Sequence, residues 1–396
     1  MFVKKTYRLV VLLILASVSN SCVEEFEFGT QNFEDILVVQ ARLTDELKNQ
    51  EIILSRSFRL ENEGPAPEVG ATVSIVDDQE VIYPFSEVSP GQYVSDNMFA
   101  AEVNLNYQLM ITTQTGQSYV SSSVSLPQKT QIDNLYAERL INDDGVEGIG
   151  ILVDSFDATG NANFYRYEYE ETYQIIPPFW FDLDIQVISE EPPEIALITR
   201  MREERICYKT NLSKNILLAT TNNLEESNVE RFMVNFFTPD DQVLRDRYSI
   251  LVKQYVQSLE AHEFYETLKD FSDSESLFSQ IQPGFINGNI LSVDNQDENI
   301  LGYFEATSVT SKRIFVNRRD LFPSSNRPAY PANCPFFEVN GADVRAVISA
   351  VNDRGLKLIG VGTSAGEGLG GLTFTFRICS DCNVLGSNIR PDFWVD

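Results

Sequence analysis

The sequence predicts a mainly β protein: an N-terminal Ig-like or transthyretin-like β-sandwich over residues 33–127, then a larger β-rich domain over 128–396 with one helical segment near 259–282. Three observations point there. Apolar residues recur at alternate positions in short runs, as in Ala71, Val73 and Ile75, or Leu105, Tyr107, Leu109 and Ile111, the period of a half-buried strand. Turn-forming clusters such as GPAPEVG (64–70) and PGQYVSD (90–96) separate those runs. The 396 residues include 26 phenylalanines and 16 tyrosines, side chains that pack well across a pleated surface.

The first 21 residues read as a secretory signal. Lys4, Lys5 and Arg8 precede an apolar run from Leu9 to Ala16 that is too short to span a bilayer as a stable helix. Ser19-Asn20-Ser21-Cys22 then places small residues before a cysteine, which resembles a bacterial lipobox. The resemblance implies that the Cys22 thiol carries a diacylglycerol and forms the mature N-terminus. Residues 22–32 form a tether. Its Glu24, Glu25 and Glu27 resemble the acidic signal that sends Bacteroidota lipoproteins to the outer leaflet of the outer membrane, so the expected location is lipid-anchored and extracellular. No later apolar run is long enough to cross a membrane, which leaves the lipid as the expected anchor.

In the first domain, ILVVQARLTD (36–45) and QEIILSRSFRL (50–60) read as buried strands, and GQSYVSSSVSLP (116–127) closes the domain at Pro127. In the second, NFYRYEYEETYQII (163–176) is a long strand with Tyr165, Tyr167 and Tyr169 on one face, and RYSILVKQYV (247–256) and NILGYFEATSVTSKRIFV (299–316) add two more. Only 259–282 reads as helix. Ala261, Phe264, Tyr265 and Leu268 recur at helical spacing, Ser258 is placed as N-cap, and Glu260 and Glu263 lie in the first turn.

Charge excludes some partners. With 30 basic and 58 acidic residues the formal charge is −28, and both nucleic acid and an anionic membrane surface repel such a chain. Chemistry-bearing motifs are few. Gly362-Thr363-Ser364-Ala365-Gly366 fits the G-x-S-x-G nucleophile elbow, but the glycine-rich sequel EGLGGLTFTF is a poor helix start and reads as a β-hairpin loop. The only histidine, His262, precedes that serine and is read as a surface group of the helix. DNQDEN (294–299) lacks the glycine and final glutamate of a calcium-binding EF-hand loop and reads as a solvated turn. No cofactor, metal site or catalytic residue is expected.

Four cysteines follow Cys22: Cys207, Cys334, Cys379 and Cys382. In an exported chain these read as disulfide partners. Cys334 is expected to join Cys379 or Cys382, with Cys207 taking the remaining partner or staying free and buried.

Together these pieces resemble the Bacteroidota family called domain of unknown function 4249. The resemblance rests on the lipobox, VVQARLTD, GATVSIVDD…GQYVS, FYRYEYEETY, Cys207-Tyr208, EFYETLKDF…LFSQIQPGFINGNI running into LGYFEATS, and the ending CSDCNVLGSNIRPDFW. Tyrosine follows Cys207 where tryptophan is usual in that family, and LGSN stands where a Gly-Gly pair is common. The resemblance implies a cell-envelope lipoprotein, often encoded beside TonB-dependent transporters. The expected function is therefore a surface accessory or binding protein working with such a transporter, with the tyrosines of strand 164–173 as contact anchors. An envelope hydrolase and a ligand-free structural protein are the alternatives.

Overall fold

The computed structural model describes residues 35–58, 64–273, 286, 288–323, 327–362 and 370–395. Cys22, Glu24, Glu25 and Ser364 lie outside the described residues, as does the second half of the expected helical segment.

The chain is mainly β. The first lobe contains β1 (Leu37–Thr44), β2 (Glu51–Arg56), β3 (Ala66–Pro67), β4 (Thr72–Asp77), β5 (Ile82–Ser89), β6 (Gln92–Ser95), β7 (Asn106–Thr112), β8 (Ser118–Ser121) and β9 (Val124–Ser125). Alternation decides what each strand buries. In β4 and β7, Val73, Ile75, Tyr107, Leu109 and Ile111 point into one core, while Ser74 and Met110 point out. In β2, Ile52 and Leu54 are buried and Ile53 is exposed, so this strand shows one face to solvent.

The second region starts with β10 (Asn134–Ile141), β11 (Glu147–Phe156) and β12 (Phe164–Ile175), then a hairpin of β13 (Leu183–Ser189) and β14 (Glu194–Thr199). β15 (Cys207–Leu212), β16 (Leu217–Thr220), β17 (Asn228–Phe237), β18 (Arg247–Val256), β19 (Ile290–Ser292) and β20 (Ile300–Asn317) follow. The C-terminal part holds β21 (Phe337–Asn340), β22 (Leu356–Val361) and β23 (Gly371–Phe376).

β20 joins the lobes. Its first half pairs in parallel with β1, Leu37 opposite Ile300 through Thr44 opposite Thr307. Its second half pairs antiparallel with β18, Ser308 opposite Val256 through Asn317 opposite Arg247. One sheet of 15 strands therefore runs through both lobes, crossing the division read at residue 127. The first core draws on the second region as well, since Ile290, Ile300 and Phe304 belong to it. Gly302 makes the seam possible. Its φ is +153°, and a Cβ there would lie 2.3 Å from the Val39 carbonyl oxygen. At the far edge Asn289 donates to the Phe304 carbonyl and accepts from the Phe304 amide, both at 2.8 Å, tying the segment before β19 back to β20.

The helical reading holds in part. α1 (Leu259–Asp273) starts at Ser258, whose hydroxyl accepts from the Ala261 amide at 3.2 Å, and it packs Ala261, Phe264 and Leu268 against Tyr303. Among the described residues two further helices are present: α2 (Arg318–Leu321), and α3 (Val344–Asn352), which is capped by Asp343 and buries Val347, Ile348 and Ala350. The expectation of a single helical segment is corrected here. In α3 the β-branched residues of VRAVISAVN suit a strand locally, and packing against β21 and β22 outweighs that preference.

Candidate functional site

Strand β12 alternates tyrosine with charge, and the two faces have opposite fates. Tyr165 and Tyr167 are fully buried in the second lobe's core, and Tyr169 and Tyr173 pack against the same core. Tyr165 and Tyr167 are unavailable as contact anchors, which corrects the expectation for those two rings. The other face carries Arg166, Glu168 and Glu170, and it opens onto a cleft of about 830 Å³ at the seam between the lobes.

The floor of that cleft is an ionic network assembled from four neighbouring strands. Register brings the groups together: Arg42 stands opposite Glu305 across β1 and β20, and Arg166 opposite Tyr255 across β12 and β18. Arg42 donates to Glu305 Oε1 (3.1 Å) and with both terminal nitrogens to Glu168 (2.6 and 3.2 Å). Arg166 donates to the same Glu305 oxygen at 2.7 Å, and Gln257 donates to the other at 2.7 Å. The Tyr255 hydroxyl donates to Glu168 at 3.0 Å.

Each guanidinium also covers a ring. Arg42 lies 4.2 Å from the Tyr255 centroid and Arg166 lies 3.8 Å from that of Tyr265 on α1. Burial alone would raise the Glu168 carboxyl, but the charges of Arg42 and Arg166 and the hydrogen bonds from Arg42 and Tyr255 outweigh it and hold the group at about 2. Burial likewise opposes the charge on Arg42, and Glu305 and Glu168 more than offset it, raising its pKa well above the ordinary value. Two cations and two carboxylates thus neutralise one another, with Arg166 and Glu305 almost wholly removed from water.

His262 belongs elsewhere. It is buried on α1, with its ring 5.2 Å from that of Phe164, and its Nδ1 has no hydrogen-bond partner among the described residues. The surface position expected from its charged neighbours is corrected, because the stripe that faces the sheet is wide enough to include position 262. Burial lowers its pKa, against the opposing charges of Glu266 and Glu263. A base whose folded-state pKa lies below its unfolded value contributes stability that is fully present above the unfolded value and is lost as pH falls below it. Denaturant titrations at about pH 8 and about pH 5 are expected to show a smaller loss of stability for His262→Leu than for the parent protein.

Gly362 ends the segment leading out of β22, and β22 pairs antiparallel with β23, so the G-x-S-x-G stretch joins two strands of a hairpin. In the 294–299 turn, Asp294 accepts from the Ser118 amide and Glu298 from the Tyr119 hydroxyl. Among the described residues no three His, Cys, Asp or Glu side chains are grouped to hold a metal ion.

The cysteines form two bridges, Cys334–Cys379 and Cys207–Cys382, so neighbouring cysteines of the C-x-x-C pair hold different parts of the chain. The rest of the C-terminal motif docks on the same strand. Tyr208 exchanges backbone hydrogen bonds with Ser387, and its ring meets that of Trp394 at 4.9 Å. Gly386 lies so close to β15 that a Cβ would come within 2.6 Å of the Tyr208 carbonyl oxygen.

The cleft was not found from sequence. Its signal was the Arg/Glu half of the alternation in FYRYEYEETY, together with Arg42 in an otherwise apolar strand. A family model described as "Domain of unknown function (DUF4249)" matches residues 23–313, and no curated protein matches. The matched stretch contains the whole ionic network, whereas Cys334, Cys379, Cys382 and the docked ending lie beyond it.

Proposed function

The chain belongs to the DUF4249 family, and from that premise we propose that it is a lipid-anchored protein of the outer membrane, facing the exterior, that binds ligand or partner beside a TonB-dependent transporter. The observation that carries this reading is the order of groups before Cys22: three cations, a short apolar run, small residues, then cysteine and a cluster of glutamates. The family match starts at residue 23, directly after that cysteine, which agrees with a mature chain beginning at Cys22.

Recognition is favoured over catalysis by the cleft itself. Its carboxylates and guanidiniums are committed to one another, and the one histidine lies on the buried side of α1. A mixed polar and apolar cleft between two lobes is a common form of ligand site.

Gentle detergent extraction with affinity purification is expected to recover a TonB-dependent transporter in near-equal amount with the parent protein. A Cys22→Ala variant is expected to leave the membrane fraction or to persist as uncleaved precursor. Recovery of the lipoprotein alone, from membranes that contain the transporter, overturns the transporter part. A mature chain starting at Cys22 with no lipid mass overturns the anchor.

A further inference from the structure

The cleft departs from the rest of the molecule in its charge. The chain as a whole has 58 acidic and 30 basic residues, yet five cations line the cleft, Arg42, Lys48, Arg166, Lys214 and Lys253, against four carboxylates, Glu51, Glu168 and Glu170 on its walls and Glu305 beneath them. Most of these are spoken for: Arg42 and Arg166 by Glu168 and Glu305, Lys48 by Glu46, and Glu170 by Arg313. Two cations remain. Among the described residues the side chains of Lys214, in the loop after β15, and Lys253, on β18 opposite Glu168, make no hydrogen bond or ion pair. Lys214 is exposed and Lys253 half-buried, so both ammonium groups are within reach of a ligand, and in a strongly negative molecule two cations without a counter-ion draw an anion to that spot.

The same walls are partly apolar. Leu212 and Ile216 flank Lys214 in sequence, and Leu268 and Leu301 also line the cleft, with Leu212 mostly exposed. We propose that the cleft takes an acidic peptide segment of a partner protein, its carboxylates reaching Lys214 and Lys253 and its apolar side chains resting on Leu212, Ile216 and Leu268. This rests on the binding role given above. About 830 Å³ is within the range of small-ligand clefts, room for a short segment and not for a folded domain.

An acidic sugar chain fits less well. Sugar rings need open aromatic faces, whereas of the rings lining the cleft Tyr255 and Tyr265 are each covered by a guanidinium, Tyr167, Phe264 and Tyr303 are buried, and Tyr169 packs against the second core.

The test uses the full-length chain in detergent and a fluorescent octapeptide alternating glutamate and leucine, read by anisotropy at low and at physiological salt. The expected result is binding that weakens with salt. Charge reversal at Lys214→Glu and Lys253→Glu is expected to weaken it about tenfold each and about a hundredfold together. An unchanged thermal midpoint shows that the variants remain folded. Equal binding of a glutamine–leucine peptide, binding of oligogalacturonate without binding of the acidic peptide, or an affinity unmoved by the double reversal overturns the inference. Transporter recovery is scored separately. Peptide binding without recovery supports this inference while removing the transporter, and recovery without peptide binding overturns this inference alone.

Discussion

Replacing Glu305 with alanine is expected to destabilise the protein by about 3–5 kcal/mol, among the largest effects available from one residue. Glu305 is 2% exposed and is the only carboxylate within 3 Å of the Arg166 guanidinium among the described residues. Arg42 would keep Glu168, whereas Arg166 would be left as a buried charge whose nearest carboxylate, Glu168, is 3.8 Å away. The control is the double variant Arg166→Met with Glu305→Leu. Removing both charges and filling the space with apolar side chains is expected to cost far less than the single change, because a buried pair offsets most of its own desolvation penalty and little more. Urea titration of Arg166→Met, Glu305→Leu and the double variant measures the coupling directly. A loss below about 1 kcal/mol for Glu305→Ala would mean that water reaches Arg166 and that the network contributes little to stability.

The second large effect is expected at the Cys207–Cys382 bridge. Its cysteines are 175 residues apart, against 45 for Cys334–Cys379. In the chain-entropy account, removing the longer closure costs about 5 kcal/mol and the shorter about 4 kcal/mol, before any change in native contacts. Serine at both positions 207 and 382 is therefore expected to lower stability more than serine at both 334 and 379. The first change should also free the docked ending. Trp394 is 3% exposed and packs between Tyr208, next to Cys207 on β15, and Phe315 on β20. A red shift of tryptophan fluorescence at denaturant concentrations below the main transition would report that release. Equal losses for the two pairs would place the stabilisation in local packing and not in chain closure.

What could be read from sequence follows what is local. Alternation named the strands, because burial of every second side chain leaves its mark along the chain, as in Tyr107, Leu109 and Ile111. The N-cap at Ser258 and the apolar stripe of α1 were equally visible. The cleft was not, because its parts lie on β1, β12, β18 and β20 and meet only through register; Arg42 and Glu305 are 263 positions apart. In FYRYEYEETY both faces carry strong signals, and periodicity alone does not say which faces the core. The rings do, as their burial now shows, and the charged face is left for the site. The choice of Cys379 over Cys382 as partner for Cys334 was likewise hidden, because two cysteines three positions apart are equivalent until the backbone between them turns.

The parallel seam also has a meaning in time. A chain emerging from its N-terminal end has β1 and β2 ready to pair early, but the other edge of β1 waits for Ile300–Thr307. Until that stretch arrives, β1 exposes a row of unpaired amides and carbonyls beside Leu37, Val39, Ala41 and Leu43, the kind of edge on which chains aggregate. Closing a pairing over such a distance is slow, since the loop entropy must be lost before any contact is gained. The first lobe therefore cannot complete its sheet before residues 300–307 are present. Its completion is tied to the arrival of β20, so the sheet of the first lobe closes only after most of the second region has been made.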